Sequence, residues 1–319
     1  MTNEAEAHTP DSYEMPQQAR ELPRMVVLSL NYVCNAGCPN CPYNNSDIRS
    51  QYKKDLYMSR AVFTALADQC GPFGSYLRFS AGGEPMLHPE IVEFARYGKF
   101  KGAKVGIISN GSRYTRENLE ALISLGVDAL EFSVDAGDAQ TYAFARPGLD
   151  WELLNRNVRL AREIRDAMNA PTRLIASVIN QKGVDVEAAV AHWTPIVDKV
   201  QVRKYLTWGY SQDNSADTTP YLPPDERLPC PFPFERLFVD TRGDVTLCVE
   251  DIAFAKRFAN VRDTPLTDIW QGSELTHLRE MHLAQAGDRE PLCANCPDWR
   301  YRSWKYNYWK ILRDAHEKG

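Results

Sequence analysis

The chain has 319 residues, of which 44% are hydrophobic and 25% are charged, and its formal net charge is −5 at pH 7. These values are typical of a globular protein with one large core and a smaller attached unit. They disfavour a nucleic-acid or membrane-surface partner, and no apolar run reaches the length of a transmembrane helix. Residues 1–24 are polar and acidic, unlike a signal peptide, so we expect a loose tail and a cytoplasmic protein.

Apolar runs and helical patterns alternate through the first two thirds of the chain. The predicted strands cover residues 25–32, 75–85, 104–112, 129–136, 172–180 and 198–206. The predicted helices cover residues 59–70, 89–100, 116–126, 150–169 and 184–197. Strands and helices that alternate with short connections predict an α/β fold with a parallel sheet, either open or curled into a partial barrel. In both cases we expect the functional residues at the carboxyl ends of the strands.

The composition changes after the sixth predicted strand. Residues 207–229 are polar and rich in proline, which predicts a linker between a core domain at 25–206 and a second domain at 230–319. Within the second domain, residues 235–250 alternate as a hairpin and residues 265–285 have a helical pattern. The second domain is therefore expected to be a small hairpin-plus-helix unit.

Seven of the eight cysteines fall into two sets, and the first set follows the first predicted strand. Cys34, Cys38 and Cys41 are more typical of a metal or redox site than of disulfides if the compartment is reducing. Three thiolates are one ligand short of a closed zinc site, whereas on an iron–sulfur cubane they leave one iron open. Spacing alone also permits a zinc site completed by a distant histidine. Cys70, outside both sets, is interpreted as a buried packing thiol.

The second cysteine set lies wholly within the predicted second domain. Cys230, Cys248, Cys293 and Cys296 are separated by 17, 44 and 2 residues. Four cysteines complete a site, and a C-x2-C pair with two distant partners suits either zinc or an iron–sulfur cubane. The residues by themselves leave both metals open.

The three-cysteine loop resembles that of the radical S-adenosylmethionine (SAM) superfamily, where C-x3-C-x2-C follows the first strand of a parallel α/β unit. Other segments match in the same order: GGEP after the second strand, SNG after the third, SVD after the fourth and ARPG beyond it. The resemblance implies a partial (β/α)6 parallel barrel and a [4Fe–4S] cluster whose open iron is chelated by SAM. The cofactor-binding residues that it implies are Gly82, Gly83, Glu84, Ser109, Asn110, Ser133, Asp135 and Arg146.

Individual roles follow from the same resemblance. GGEP matches the segment that receives the methionine amino group, where glycines let the backbone approach the ligand. The later strand ends contact the ribose hydroxyls and the methionine carboxylate, and Arg146 matches an arginine that serves this carboxylate. One position departs from the family pattern, because the residue before the third cysteine is Asn40 instead of an aromatic residue near the adenine. We expect the nearest aromatic residue, Tyr43, to contact the adenine.

The second cysteine set resembles the twitch domain, a shortened SPASM domain found at the C-terminus of many radical SAM enzymes. The resemblance implies that residues 230–319 bind one auxiliary [4Fe–4S] cluster through Cys230, Cys248, Cys293 and Cys296. A full SPASM domain has seven cysteines and two clusters, and this chain has too few cysteines for that.

In its size and its twitch domain, the chain resembles radical SAM enzymes that modify sugars, aminocyclitols or nucleosides in antibiotic biosynthesis. The resemblance implies hydrogen abstraction from a carbohydrate-like small molecule and oxidation of a secondary alcohol to a ketone, with the auxiliary cluster as electron acceptor. Arg203 and Lys204 are the candidate catalytic residues at the end of the sixth strand, and strand alternation lets only one of them face the site. We expect a flavodoxin- or ferredoxin-type protein to supply electrons.

Alternative functions are redox-neutral or belong to another class. A uronic-acid-type nucleoside could be decarboxylated, with Arg203 or Lys204 holding its carboxylate. Epimerisation is a weaker alternative, because it needs a hydrogen-donating thiol and Cys70 is misplaced for that task. Peptide or sulfatase maturation also suits the architecture, although no separate peptide-recognition domain is evident. The non-enzymatic alternative is a zinc-binding interaction module.

Overall fold

The structure is a computed structural model that describes residues 21–44, 50, 54–206, 216, 229–251, 256–294 and 296. Among these residues, no helix is both long enough and apolar enough to cross a membrane. The predicted tail at 1–24 and linker at 207–229 lie mostly outside the described residues, as do residues 297–319 of the second domain.

One nine-stranded sheet organises the described part of the chain. Its strands are Met25–Leu28 (β1), Tyr76–Phe79 (β2), Lys104–Ser109 (β3), Ala129–Ser133 (β4), Arg173–Asn180 (β5), Lys199–Lys204 (β6), Arg236–Val239 (β7), Asp244–Thr246 (β8) and Arg257–Asn260 (β9). The spatial order is β6-β5-β4-β3-β2-β1-β7-β8-β9. Neighbouring strands from β6 to β7 are parallel, whereas β8 is antiparallel to β7 and β9.

Helices connect the parallel strands, and several begin with a side-chain cap. The described helices are Arg60–Cys70 (α1), Ile91–Phe100 (α2), Arg116–Ser124 (α3), Ala139–Ala145 (α4), Trp151–Ala167 (α5), Val186–Trp193 (α6), Phe232–Glu235 (α7), Leu266–Gln271 (α8), Ser273–Leu283 (α9) and Pro291–Ala294 (α10). Ser59, Thr115 and Asp150 each accept a hydrogen bond from the backbone N–H three residues later. These caps satisfy N–H groups that have no partner within the helix, which is why the helices begin there.

The two faces of the parallel strands have different surroundings. The outer face packs in the main hydrophobic core, where Leu77, Val105 and Leu130 are fully buried. The opposite face, here called the inner face, carries a smaller apolar cluster that includes Met25 and Tyr76. Parallel strands with helices on one face, followed by an antiparallel hairpin, confirm the predicted α/β fold.

The first strand is shorter than the sequence pattern predicts. It ends at Leu28, because the following residues pair with the segment before α1. The Tyr32 N–H donates to the Leu56 carbonyl at 2.9 Å, and the Met58 N–H donates to the Leu30 carbonyl at 2.8 Å. This pairing turns the chain away from the sheet just before the cysteine loop.

The C-terminal elements differ from the prediction in three ways. The predicted helix at 265–285 is two helices, because Gly272 has an extended backbone between α8 and α9. Strand β9 and the short helices α7 and α10 were not predicted, and neither was α4 in the core. The predicted hairpin is present as β7 and β8, but β7 pairs in parallel with β1, from Met25 with Arg236 to Leu28 with Val239. The hairpin therefore extends the core sheet.

Cys70 ends α1 and has no exposed surface. Its side chain belongs to the main hydrophobic core, and burial raises its pKa to about 12. The interpretation of Cys70 as a packing thiol is confirmed by this placement.

Candidate active site and cysteine centres

The three-cysteine loop follows β1 and is folded closely on itself. The Ala36 N–H donates to Cys34 Sγ at 3.4 Å, and the Cys41 N–H donates to the Cys38 carbonyl at 3.1 Å. Burial raises the pKa of Cys34, and burial together with the neighbouring Cys38 raises the pKa of Cys41 to about 12. Without a metal, Cys34 and Cys41 are protonated at neutral pH, so a metal that binds them must displace their protons.

A buried ion pair adjoins this loop from the end of β4. Arg146, which follows α4, contacts the Asp135 carboxylate at 2.6 Å and lies 3.5 Å from Cys38 Sγ. The second oxygen of Asp135 accepts a hydrogen bond from the Ile179 N–H at 2.7 Å. Burial acts to lower the pKa of Arg146, but Asp135 and Cys38 outweigh it, and the pKa lies above its ordinary value. The structure thus brings two predicted cofactor-binding residues to the cysteine loop.

Gly82 and Gly83 let the segment after β2 pack against the cysteine loop. The Gly83 N–H donates to the Asn31 carbonyl at 2.7 Å, and the Glu84 N–H donates to the Val33 carbonyl at 2.8 Å. A Cβ on Gly82 would come within 3.0 Å of the Asn31 carbonyl, and one on Gly83 would clash with Asn31 and Val33. These two glycines were predicted to let the backbone approach a ligand. The close approach in the structure is to the chain's own loop.

The Glu84 carboxylate connects the ends of β2 and β3. One oxygen accepts hydrogen bonds from the Ser109 hydroxyl at 2.7 Å and the Met86 N–H at 3.0 Å, and the other accepts from the Asn110 N–H at 2.7 Å. Burial raises the pKa of Glu84 and these hydrogen bonds oppose the shift. Three predicted cofactor-binding residues, Glu84, Ser109 and Asn110, therefore lie together. Both oxygens of the Glu84 carboxylate, however, already accept hydrogen bonds from the protein itself.

Asn35 and Ser112 join the cysteine loop to the end of β3, and neither was predicted as a site residue. Asn110 Nδ2 donates to Asn35 Oδ1 at 3.0 Å, Asn35 Nδ2 donates to Ser112 Oγ at 2.9 Å, and Ser112 Oγ donates to Asn110 Oδ1 at 2.7 Å. This closed ring of hydrogen bonds fixes the loop against the strand. Each of these polar residues lies next to a motif in the sequence, which could have marked it as a candidate. The spacing of motifs does not reveal that Asn35 and Asn110, 75 residues apart, form a hydrogen bond.

Tyr43 and Ser133 occupy different parts of the inner face. Ser133 ends β4 and is half-buried. Tyr43 lies on the short 3-10 helix Pro42–Asn44 and is buried in the inner-face cluster, with its ring 5.7 Å from the ring of Tyr32. Tyr43 therefore packs against other side chains on the inner face of the sheet. Its contact with adenine stays a prediction.

Arg203 is on the inner face, and Lys204 is on the outer face. Arg203 pairs in register with Ile179, and its guanidinium contacts the Glu131 carboxylate at 2.5 Å and Ser177 Oγ at 2.7 Å. Lys204 is exposed. Of the two candidate catalytic residues, only Arg203 is directed toward the interior. Its partner Glu131 was not predicted, although a carboxylate within the apolar strand β4 indicates a buried partner.

The four cysteines of the second set line one cavity. Its walls are Cys230, Phe232, Pro233, Leu247, Cys248, Glu250, Leu278, His282, Leu292, Cys293 and Cys296. The Cys230 N–H donates to His282 Nδ1 at 3.4 Å, and the Cys296 N–H donates to the Cys293 carbonyl at 3.1 Å. Residues from three distant segments therefore meet around one thiol-lined space with apolar walls.

The donor sets suit iron–sulfur clusters. Within the described part of the chain, no three His, Cys, Asp or Glu side chains are grouped so as to hold a single metal ion. A cubane has no such requirement, because each thiolate binds a different iron. The three thiols of the loop and the four thiols of the cavity therefore fit two clusters, the first with one iron left open to another ligand.

Family models match the two segments of the chain that carry the two cysteine sets. The model of the radical SAM superfamily matches residues 28–169, and the model of the SPASM iron–sulfur cluster-binding domain matches residues 230–297. The chain contains a radical SAM domain and a SPASM domain. The radical SAM domain implies a [4Fe–4S] cluster with SAM, and the SPASM domain implies an auxiliary iron–sulfur cluster. The predicted cofactors are confirmed at this level.

Known relatives align with different lengths of this radical SAM protein. AdoMet-dependent heme synthase of Methanosarcina barkeri is 31% identical over 120 residues, which are 38% of this chain and 33% of that enzyme. The chain thus spans about one third of the length of that relative. PqqA peptide cyclase of Xanthomonas axonopodis pv. citri is 24% identical over 322 residues, covering 87% of this chain and 82% of the cyclase.

Solved structures share the fold at low sequence identity. BtrN in complex with AdoMet and 2-DOIA has a TM-score of 0.58 and 20% identity, and the match covers 86% of this chain and 93% of BtrN. SuiB of Streptococcus suis bound to its precursor peptide SuiA has a TM-score of 0.64 and 12% identity, covering 92% of this chain and 73% of SuiB. These matches agree with a partial barrel that carries a C-terminal iron–sulfur domain.

Proposed function

We propose that this radical SAM enzyme abstracts a hydrogen atom from a carbohydrate-like small molecule and oxidises a secondary alcohol to a ketone. The observation that carries the proposal is the cavity lined by Cys230, Cys248, Cys293 and Cys296, since an auxiliary cluster there would accept the electron that the oxidation releases. BtrN, which has the same fold and was determined with AdoMet and 2-DOIA, supports a small carbohydrate-like substrate.

The two cysteine sets border one continuous layer of side chains. Cys41 of the loop and Val249, the residue after Cys248, both pack against the inner-face cluster that contains Tyr43 and Phe238. This contact supports a short route between the radical site and the auxiliary site. When bound, the first cluster with SAM supplies a hydrogen-abstracting 5′-deoxyadenosyl radical, and the second supplies an electron acceptor.

The residues around the loop would bind and orient SAM. Arg146, beside Cys38 and Asp135, is positioned to attract the methionine carboxylate. Because the Glu84 carboxylate already binds Ser109 and the Asn110 N–H, the GGEP segment would contribute its main-chain groups to the methionine amino group. Ser133, at the half-buried end of β4, would reach the ribose.

Arg203 would orient the substrate at the site of oxidation. Its positive charge would favour loss of the hydroxyl proton from the substrate radical. Glu131 and Ser177 hold its guanidinium in place, which reduces the entropy lost when it binds a substrate. The exposed Lys204 is on the other face of β6 and has no part in this proposal.

Two other reactions have supporting observations. Redox-neutral decarboxylation of a uronic-acid-type nucleoside is favoured by the inward-facing Arg203, which could hold a carboxylate. Peptide modification is favoured by the match to PqqA peptide cyclase over 87% of this chain. The radical SAM domain favours all of these enzymes over a zinc-binding interaction module. An external flavodoxin- or ferredoxin-type donor is part of the proposal in each case.

The deciding experiment measures iron, sulfide and zinc per chain after anaerobic reconstitution, followed by turnover of a Cys293→Ala variant. About eight irons and no zinc would indicate two cubanes. We expect Cys293→Ala to cleave SAM to 5′-deoxyadenosine but to stop forming product, because the electron has no acceptor. Full product yield from Cys293→Ala would exclude the oxidative reaction. About four irons with one zinc would instead favour decarboxylation or another redox-neutral reaction.

A further inference from the structure

Tyr142 lies one helical turn before Arg146, which reaches the cysteine loop. It belongs to α4, which begins after Asp138, whose carboxylate accepts a hydrogen bond from the Thr141 N–H at 2.9 Å. The helix ends where the Arg146 N–H donates to the Tyr142 carbonyl at 2.8 Å. Because residues one turn apart are neighbours on a helix, α4 holds Tyr142 beside the arginine that contacts Cys38.

The ring and the hydroxyl of Tyr142 have different surroundings. The residue is 1% exposed, and its ring packs in the main hydrophobic core, 5.5 Å from the ring of Trp151. The hydroxyl oxygen is also buried, but no described residue makes a hydrogen bond with it. Most buried hydroxyls in folded proteins are paired, because burying one without a partner costs free energy. Phenylalanine would fill the same space without this cost, so packing in the core does not explain the hydroxyl.

The charges that act on this hydroxyl are those of the candidate active site. They are, in order of their effect, Arg146, Cys38, Asp135 and Glu84. Burial raises the pKa of Tyr142, and Arg146 opposes the shift without reversing it. The hydroxyl therefore keeps its proton at neutral pH and can donate a hydrogen bond to an anion bound in this site.

The carboxylates near the hydroxyl already have donors. Asp135 accepts from Arg146 Nε at 2.9 Å through one oxygen and from the Ile179 N–H at 2.7 Å through the other. Both oxygens of Glu84 accept hydrogen bonds as well. Arg146 Nη1 donates to Cys38 Sγ at 3.5 Å, so Asp135 and Cys38 use part of the donor set of Arg146. A carboxylate that binds Arg146 accepts up to about four hydrogen bonds, which leaves room for a second donor.

We propose that the Tyr142 hydroxyl binds the methionine carboxylate of SAM beside Arg146. Arg146 supplies the positive charge, and Tyr142 supplies a neutral donor that the packing of its ring holds in place. A donor that is already fixed loses little conformational entropy when the ligand binds. The inference rests on the proposed function, which assigns this carboxylate to Arg146, and it adds a cofactor-binding residue to the site.

The test measures SAM binding to the anaerobically reconstituted full chain by equilibrium dialysis without a reductant. Tyr142→Phe removes the hydroxyl and keeps the ring in the core. Loss of a hydrogen bond to a charged group should weaken SAM binding at least about tenfold. Decarboxylated SAM, which lacks the carboxylate, should bind Tyr142→Phe as tightly as it binds the parent. Unchanged affinity for SAM, or an equal loss for both ligands, would overturn the proposal.

Tyr97→Phe is the matched control. The Tyr97 hydroxyl donates to Asp68 at 2.7 Å, which joins α2 to α1, so this variant loses a hydrogen bond of the fold and should bind SAM as the parent does. The metal-free Tyr142→Phe chain should be at least as stable in urea as the parent, because no described residue bonds to the hydroxyl that it lacks. A less stable metal-free Tyr142→Phe chain would make the hydroxyl a structural group and overturn the proposal.

Two further measurements separate this inference from its alternatives. Iron content and the midpoint potential of the first cluster in Tyr142→Phe should match those of the parent. A shifted potential with unchanged SAM affinity would assign the hydroxyl to Cys38 and overturn the proposal. If Arg146→Gln binds SAM as the parent does, the role of Arg146 in the proposed function is refuted. If Arg146→Gln loses affinity and Tyr142→Phe does not, only the assignment of Tyr142 fails.

Discussion

Replacing Gly83 with alanine is expected to separate the cysteine loop from the end of β2. A Cβ at this position would come within 3.0 Å of the Asn31 side chain and of the Val33 backbone. Relief of this clash would break the hydrogen bonds from the Gly83 N–H to the Asn31 carbonyl and from the Glu84 N–H to the Val33 carbonyl. It would also break the bond from Asn31 Nδ2 to the Glu84 carbonyl.

The structure sets the size of this effect. Three hydrogen bonds at about 0.5–1.5 kcal/mol each amount to a loss of roughly 1.5–4.5 kcal/mol in the free energy of unfolding. Urea unfolding of the reduced, metal-free chain, followed by circular dichroism, measures this loss. In the reconstituted protein we expect iron to fall by about four per chain and 5′-deoxyadenosine formation to stop, because the first cluster needs all three cysteines in place.

Gly37→Ala is the matched control. Gly37 is exposed in the same loop, and a Cβ there would meet only the Pro147 carbonyl, at an ordinary 3.7 Å. This variant should keep the stability, iron content and SAM cleavage of the parent. If Gly83→Ala also keeps all three, the close packing of the two segments does not hold the cysteine loop in place.

Two further variants test the buried charges, and one labelling experiment tests the buried thiol. Arg146→Gln should weaken SAM binding at least about tenfold, as measured by equilibrium dialysis. It should also lower the free energy of unfolding in urea by about 2–4 kcal/mol, because the buried Asp135 loses its cation. A variant that matches the parent in both measurements would contradict this. Glu131→Gln should be less stable than the parent by up to about 3 kcal/mol at pH 7. Because the pKa of Glu131 is lowered, its contribution is present above pH 4 to 5 and is lost as the pH falls through the folded pKa; a stability difference that does not change with pH would refute this. Cys70, whose pKa is about 12, should resist iodoacetamide at pH 8.5 in the folded chain and react in denaturant, as mass spectrometry of the labelled peptide would show.

The sequence alone determined the class of fold and the family. Strand–helix alternation is a local pattern, and caps such as Ser59 and Asp150 act within one helical turn, so both are visible along the chain. The spacing of Cys34, Cys38 and Cys41, together with the order of GGEP, SNG and SVD, was sufficient to recognise the radical SAM superfamily. The two predicted clusters follow from the same local features.

Only the tertiary structure decided which side chains meet. The bond from Ser109 to Glu84, the ring formed by Asn35, Asn110 and Ser112, and the pairing of β7 with β1 join residues far apart in the chain. Strand alternation showed that one of Arg203 and Lys204 faces inward, but a shift of one residue exchanges the faces, so the choice depended on register. The pairing of Arg203 with Glu131 has the same origin, because the two residues come from different strands, β6 and β4, and meet only after the sheet has formed.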